Sequence, residues 1–142
     1  MTQRDNRTEL IRELVRKEQV KTQGELAELL AARGLVLTQA TISRYATNIG
    51  LKKDPRSGKY VLPEDVFVRR MVSELVTEVI PAQNLVVVKS SSGAAQGVAA
   101  ALDGVEIEGI VGSIAGDDTI LLIAPDNATA QTVAAAIRSF MV

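Results

Sequence analysis

The chain has 142 residues and a mass of 15.2 kDa, enough for one ordinary domain or two small ones. A composition of 46% hydrophobic and 23% charged residues is globular and sets aside disordered, collagen-like and coiled-coil chains. With no cysteine and no histidine, disulfides, thiol nucleophiles, imidazole bases and the usual zinc ligand sets are excluded. The longest stretch without a charge, Ser90 to Leu102, is 13 residues of mostly Ser, Gly and Ala. A membrane-spanning helix needs about 20 apolar residues, so none is expected. The opening MTQRDNRTEL carries four charges and lacks the apolar stretch of a secretory signal, which predicts a cytoplasmic protein.

The net charge of -1 conceals an asymmetry. Residues 1–62 hold twelve Lys and Arg against seven Asp and Glu, residues 63–80 hold two against four, and residues 81–142 two against six. A basic front and an acidic back predict two units with different partners, the first an anion such as nucleic acid. The expected organisation is a front domain at residues 1–62, a connector helix at 63–74 and a back domain at 75–142.

In the front unit, Leu10, Ile11, Leu14 and Val15 form the stripe of a first helix over Arg7 to Glu18. Thr22-Gln-Gly-Glu25 has the pattern of a capping box and opens a second helix with Leu26, Ala27, Leu29 and Leu30, stopped by Gly34. Thr38 is a fair N-cap for a third helix, whose apolar Ile42, Tyr45, Ala46 and Ile49 precede Gly50. The remaining face of that helix carries Gln39, Thr41, Ser43, Arg44, Thr47 and Asn48, and no Asp or Glu occurs between Glu28 and Asp54. Leu51-Lys-Lys, the turn Asp54 to Gly58 and Lys59 to Leu62 then read as a short basic hairpin. This order is the plan of a winged helix-turn-helix, with the third helix in the major groove and the wing on the backbone. Ser43 and a bidentate Arg44 suit base edges; Lys52, Lys53, Arg56 and Lys59 suit phosphates. The plainer alternative is a three-helix bundle with a solvated polar face.

The back unit follows a helix after Pro63. Val76 to Ile80 and Leu85 to Lys89 predict a hairpin about Pro-Ala-Gln-Asn, Ser90 to Gly93 a loop, and Ala94 to Leu102 a small-residue helix. Val105 to Ala115 and Thr119 to Ala124 predict two more strands, and Asp126 or Asn127 caps a last helix ending near Phe140. The fold class is therefore α+β, with an αββαββα back domain built on a four-stranded antiparallel sheet. Its polar groups are few: Gln96, Asp103 and the pair Asp117-Asp118. That pair suits acid/base work, a divalent cation or a cationic ligand, although Gly-Asp-Asp-Thr and Asp103-Gly104 are also ordinary turn and helix-exit chemistry. Ser90-Ser-Ser-Gly93 before a helix is a weak candidate for an anion cradle.

Four segments then carry a specific resemblance: Thr38-Gln-Ala-Thr-Ile-Ser-Arg44, Tyr60-Val-Leu-Pro63, Gly93-Ala-Ala-Gln-Gly-Val-Ala99 with Asp103, and Gly112-Ser-Ile-Ala-Gly-Asp-Asp-Thr-Ile120. In this order, over almost the whole chain, they resemble the bacterial arginine repressor family. The resemblance implies a winged helix that binds double-stranded operator DNA and represses arginine biosynthesis genes. It also implies a C-terminal domain that forms trimers, two of which stack as a hexamer with L-arginine, the co-repressor, between them. No enzymatic activity and no metal are implied. Ser43 and Arg44 match the family's DNA-contacting pair. Gln96, Asp103, Asp117 and Asp118 match its arginine-binding positions, with backbone groups near Ala115. An Asp of the 117/118 pair suits the ligand's guanidinium fork, and Asp103 and the Gln96 carbonyl suit its ammonium.

The family usually has Asp after the Ser-Arg pair and Thr at position 113, where this chain has Tyr45 and Ser113. Tyr45 falls on the apolar side of the third helix, and Ser113 keeps a hydroxyl. Rival readings are a winged-helix regulator sensing another amino acid, a metal-dependent enzyme using Asp117 and Asp118, and a structural oligomer whose front unit binds protein.

Overall fold

The computed structural model describes residues 2–141. The chain divides into two compact units, one up to Pro63 and one from Glu64 onward.

The first unit packs α1 (Gln3–Lys17), α2 (Gln23–Ala32) and α3 (Gln39–Ile49), followed by the short strands β1 (Lys52–Lys53) and β2 (Tyr60–Val61). Helix α1 starts four residues before the Arg7 expected from its apolar stripe. Its first turn is polar and is held by a capping box: the Asp5 N–H donates to Thr2 Oγ1 at 3.2 Å, and the Thr2 N–H donates to Asp5 Oδ2 at 3.1 Å. The expected box at Thr22 is half present. Thr22 Oγ1 accepts from the Glu25 N–H at 3.0 Å, but Glu25 Oε2 accepts from the N–H of Lys21, one residue before the cap, at 2.8 Å. At the end of α2 the N–H groups of Gly34 and Leu35 donate to the carbonyls of Ala31 and Leu30, both at 2.9 Å, and turn the chain toward α3. Helix α3 begins with Thr38 Oγ1 accepting from the Thr41 N–H and ends at Gly50, whose φ of +83° is cheap only for glycine.

Ile11, Leu14, Val20, Leu26, Leu30, Ile42 and Leu62 fill the core between these helices, each at most 2% exposed. Each such burial removes about 1.5–3 kcal/mol of apolar exposure. Tyr45 packs against this core, as its place on the stripe predicts. The hairpin pairs Lys52 with Val61 and Lys53 with Tyr60. A hydrogen bond of 2.8 Å from the Tyr60 N–H to the Val20 carbonyl fastens it to the segment between α1 and α2.

The second unit contains α4 (Pro63–Leu75), β3 (Val76–Ala82), β4 (Leu85–Ser90), α5 (Ala95–Asp103), β5 (Gly112–Ala115), β6 (Thr119–Ile123) and α6 (Asn127–Arg138), then a 3₁₀ turn at Ser139–Met141. The strands form one antiparallel sheet in the order β3-β4-β6-β5, which is the expected architecture. Alternation along β4 and β6 puts Val86, Val88, Ile120 and Leu122 inward. There they meet Val68 and Val72 of α4, Val98 and Leu102 of α5, and Val133 and Ile137 of α6 in one core. The β3–β4 connection is tighter than the four residues expected. Ala82 pairs with Leu85, so only Gln83 and Asn84 turn, with Gln83 at φ +56°.

One expected strand is mostly absent. Val105 to Ala115 alternates like a strand, yet only Gly112–Ala115 pairs as β5. Val105, Ile107 and Ile110 instead pack on the core from a loop that reverses at Gly109 (φ +96°). A Cβ at Gly109 would lie 2.3 Å from Thr129 Cγ2, so the loop lies directly against α6. The apolar spacing recorded burial, and the glycine made it burial without a ladder.

Opposite the core, the sheet presents its second face. The register aligns Ile80, Val87, Leu121 and Ile114 in one row across all four strands, with Leu85 and Ile123 in the next. Ile114 is 68% exposed and Ile80 38%. A polar row, Glu78, Lys89 and Thr119, borders this surface, with Lys89 Nζ donating to Thr119 Oγ1 at 3.2 Å.

Candidate functional site

The residues picked for nucleic-acid contact lie on two elements of the first unit. On α3, Gln39 and Arg44 are exposed, and Thr41 and Ser43 are half-buried at its surface. Arg44 is restrained on its own helix: Nη2 donates to Thr41 Oγ1 at 3.3 Å, and that hydroxyl lies 2.9 Å from Thr38 Oγ1. The Thr41 hydroxyl, itself hydrogen-bonded to the Thr38 hydroxyl that caps the helix, thus anchors a guanidinium one turn on, reducing the rotamer freedom that a base contact would have to remove. Gln39 Nε2 donates to Gln23 Oε1 of α2 at 2.6 Å. Gln23, in sequence only the residue after the Thr22 cap, is brought to this surface by the packing of α2 against α3.

In the hairpin, Lys52, Lys53 and Arg56 are all exposed. The Lys53 ammonium sits 5.5 Å from the centre of the Tyr60 ring, its cross-strand partner. Arg56 stands in a turn organised by Asp54, whose carboxylate accepts from the Arg56 N–H and from the Ser57 hydroxyl, both at 3.0 Å. These two bonds hold the Asp54 carboxyl below the usual carboxylate range. The one acidic side chain of the hairpin is therefore turned inward on the turn, and the cations face solvent.

In the second unit the β5–β6 turn is pinned to the start of α5. The Ser90 N–H donates to the Asp118 carbonyl at 2.8 Å, and the Ala95 N–H to the Asp117 carbonyl at 3.1 Å. Gln96 Nε2 donates to the Ala115 carbonyl at 2.8 Å, and Ser92 Oγ to Asp117 Oδ2 at 3.3 Å. Gln96, Ala115 and Asp117 are thus brought together, with Asp118 beside them on the turn, its Oδ1 accepting from the Thr119 hydroxyl at 2.9 Å. The Ser90–Gly93 loop meets the protein's own Asp117, so it is no open anion cradle. Asp103 stands apart: it is seven residues after Gln96, two helical turns and about 10 Å along the α5 axis.

This set of acceptors suits a cationic ligand. Both Asp carboxylates are exposed, and each keeps lone pairs beyond its one hydroxyl partner. Gln96, having given an N–H to Ala115, retains Oε1 as an acceptor for an ammonium. Among the described residues no three acidic groups gather as a metal-binding cluster, and no helix is long and apolar enough to cross a membrane.

Comparison with known proteins gives both halves a family. Residues 2–67 match the family model described as the arginine repressor DNA binding domain, and residues 72–139 the one described as the arginine repressor C-terminal domain. Proteins named arginine repressor are similar along nearly their whole length. That of Carboxydothermus hydrogenoformans is 40% identical over 95% of this chain and 97% of its own. That of Symbiobacterium thermophilum is 42% identical over 92% and 93%, and that of Solibacter usitatus 43% over 87% and 86%. Two matched domains in order, carried on a winged helix and a four-stranded sheet, place the chain in the arginine repressor family, whose members are transcription regulators rather than enzymes.

Proposed function

We propose that this protein is an arginine-dependent repressor that binds operator DNA through α3 and the hairpin and takes L-arginine as co-repressor in its second unit. The observation that carries the DNA reading is the α3 surface: Gln39, Thr41, Ser43 and Arg44 without a carboxylate, two of them held by hydrogen bonds to neighbours. Arg44 and Ser43 contact base edges, with Gln39 and Thr41 alongside, while Lys52, Lys53 and Arg56 meet phosphates.

L-Arginine is bound where the β5–β6 turn meets α5. Bound there, it would supply a planar cation and an ammonium as bridging charges. The turn offers Asp117 or Asp118 to the guanidinium and Gln96 Oε1 to the ammonium, with Ala115 marking the backbone between them. Asp103, too far along α5 to join the same cluster, serves the ligand from a second subunit. The apolar row on the outer face of the sheet supports self-association, since it ends in the exposed Ile80 and Ile114 with the half-buried Val87 and Leu121 between them, and such a contiguous apolar patch is unusual for a monomer. The assembly proposed is a hexamer of two stacked trimers in the cytoplasm. Ligand bound between subunits favours the assembled state by mass action and so couples to DNA affinity.

A gel-shift titration of DNA upstream of arginine biosynthesis genes, with and without L-arginine, tests this. The expected result is tighter, salt-dependent binding with the amino acid. No dependence on L-arginine would overturn the co-repressor reading, and no binding at any salt would overturn the DNA reading.

A further inference from the structure

Gln23 and Gln39 are the first residues of α2 and α3, and their amides meet at 2.6 Å across 16 residues of sequence. A free glutamine on a helix surface turns its amide at will and offers N–H groups or a carbonyl to whatever lies opposite. Here one N–H of Gln39 is committed to Gln23 Oε1, which leaves Gln39 a single N–H and its whole carbonyl. That residual pair, one donor beside one acceptor in a plane, is complementary to adenine, which shows N7 as acceptor and N6 as donor in the major groove. Guanine shows two acceptors, N7 and O6, and would need both N–H groups that the tied amide no longer has.

We propose that Gln23 is a positioning residue which, by holding the Gln39 amide, makes it select adenine over guanine at one base pair of each half-site. The proposal rests on the reading of α3 as the groove-facing helix. Gln23 itself touches no base; it acts through Gln39. Its own amide N–H groups, at the N-terminus of α2, are free to reach a phosphate. Loss of that contact alone would weaken all sequences equally and leave preference unchanged.

The test is selection from a pool of randomised duplexes by the full chain with L-arginine, comparing the wild type with Gln39→Ala, Gln23→Ala and Gln23→Glu. The wild type should prefer adenine over guanine at one position per half-site by about 5- to 100-fold, the range of a good bidentate base contact. Gln39→Ala should lose that preference there and keep the others. Gln23→Ala should lose it at the same position, while Gln23→Glu, which retains an acceptor for the Gln39 N–H, should recover it even as its charge lowers overall affinity. Wild-type preferences at every position in Gln23→Ala, or a uniform loss at all of them, would overturn the proposal. Failure of the wild type to bind any duplex would instead overturn the DNA reading on which it rests.

Discussion

Arg44 is held by the Thr41 hydroxyl, which is hydrogen-bonded to the capping hydroxyl of Thr38, and Gln39 by an amide on another helix. Two of the polar side chains of α3 are therefore ordered before any partner arrives, which lowers the entropic cost of each contact they make. Replacing Arg44 with Ala should cost about 1–3 kcal/mol of operator binding if its fork meets a guanine, read by gel shift on a protein whose thermal unfolding is unchanged. An unaltered affinity would remove Arg44 from the contact. At the ligand turn, Asp118→Asn should weaken L-arginine binding, as should offering citrulline, which keeps the shape of arginine without its charge. Hydrogen bonds to charged groups are worth about 1.5–3 kcal/mol, so calorimetric titration should show a loss of roughly 10- to 100-fold in either case. Citrulline binding as tightly as arginine would contradict a carboxylate clamp.

Elements carry their own predictions. The hairpin is two residues per strand, so its place depends on the Tyr60 bond to Val20 and its tip on the Asp54 turn. Such a small element contributes charge more readily than shape. Neutralising Lys53 and Arg56, if each meets a phosphate, should reduce the slope of log K against log salt by about 0.9 per contact, and an unchanged slope would put the hairpin off the DNA. The loop before β5 depends on Gly109. A side chain there meets both a positive φ and the Thr129 methyl, so Gly109→Ala should destabilise by ~2–4 kcal/mol in urea unfolding. Adding Thr129→Ser, which removes that methyl, should recover part of the loss; an unchanged deficit would assign all of it to φ. The strand expected over Val105 to Ala115 falls in this loop: Val105, Ile107 and Ile110 alternate because they are half-buried against the core, and no sequence pattern says whether a ladder partner lies alongside.

For the whole molecule, the division of labour follows the charge. The basic unit has the hydrogen-bonding helix and the cationic hairpin; the acidic unit has the carboxylate turn and an apolar sheet face. Charging that face should dissociate the proposed assembly without unfolding the subunit, since Val87 and Ile114 lie opposite the core. Val87→Asp with Ile114→Lys should lower the mass measured by light scattering toward the 15.2 kDa of one chain while circular dichroism is retained. A full-sized oligomer from this variant would place the subunit contacts elsewhere.

Short-range features were legible in the residues themselves. The helical stripes, the caps at Thr22, Thr38 and Asp126, the terminating Gly50, the basic hairpin and the Gly-Asp-Asp turn each depend on interactions within a few positions of chain, where period and capping chemistry are local. The α1 start is not, because its polar first turn carries no apolar period to mark it. Features made by lateral neighbours needed the folded chain. The row Ile80, Val87, Leu121 and Ile114 exists only because the strands adopt the order β3-β4-β6-β5, which brings residues from four separate segments side by side. The Gln23–Gln39 amide pair and the pinning of the Asp117 turn onto α5 arise in the same way. Hydrogen bonds between distant segments are set by how elements pack, and packing depends on the summed shape of the core, a quantity no local pattern encodes.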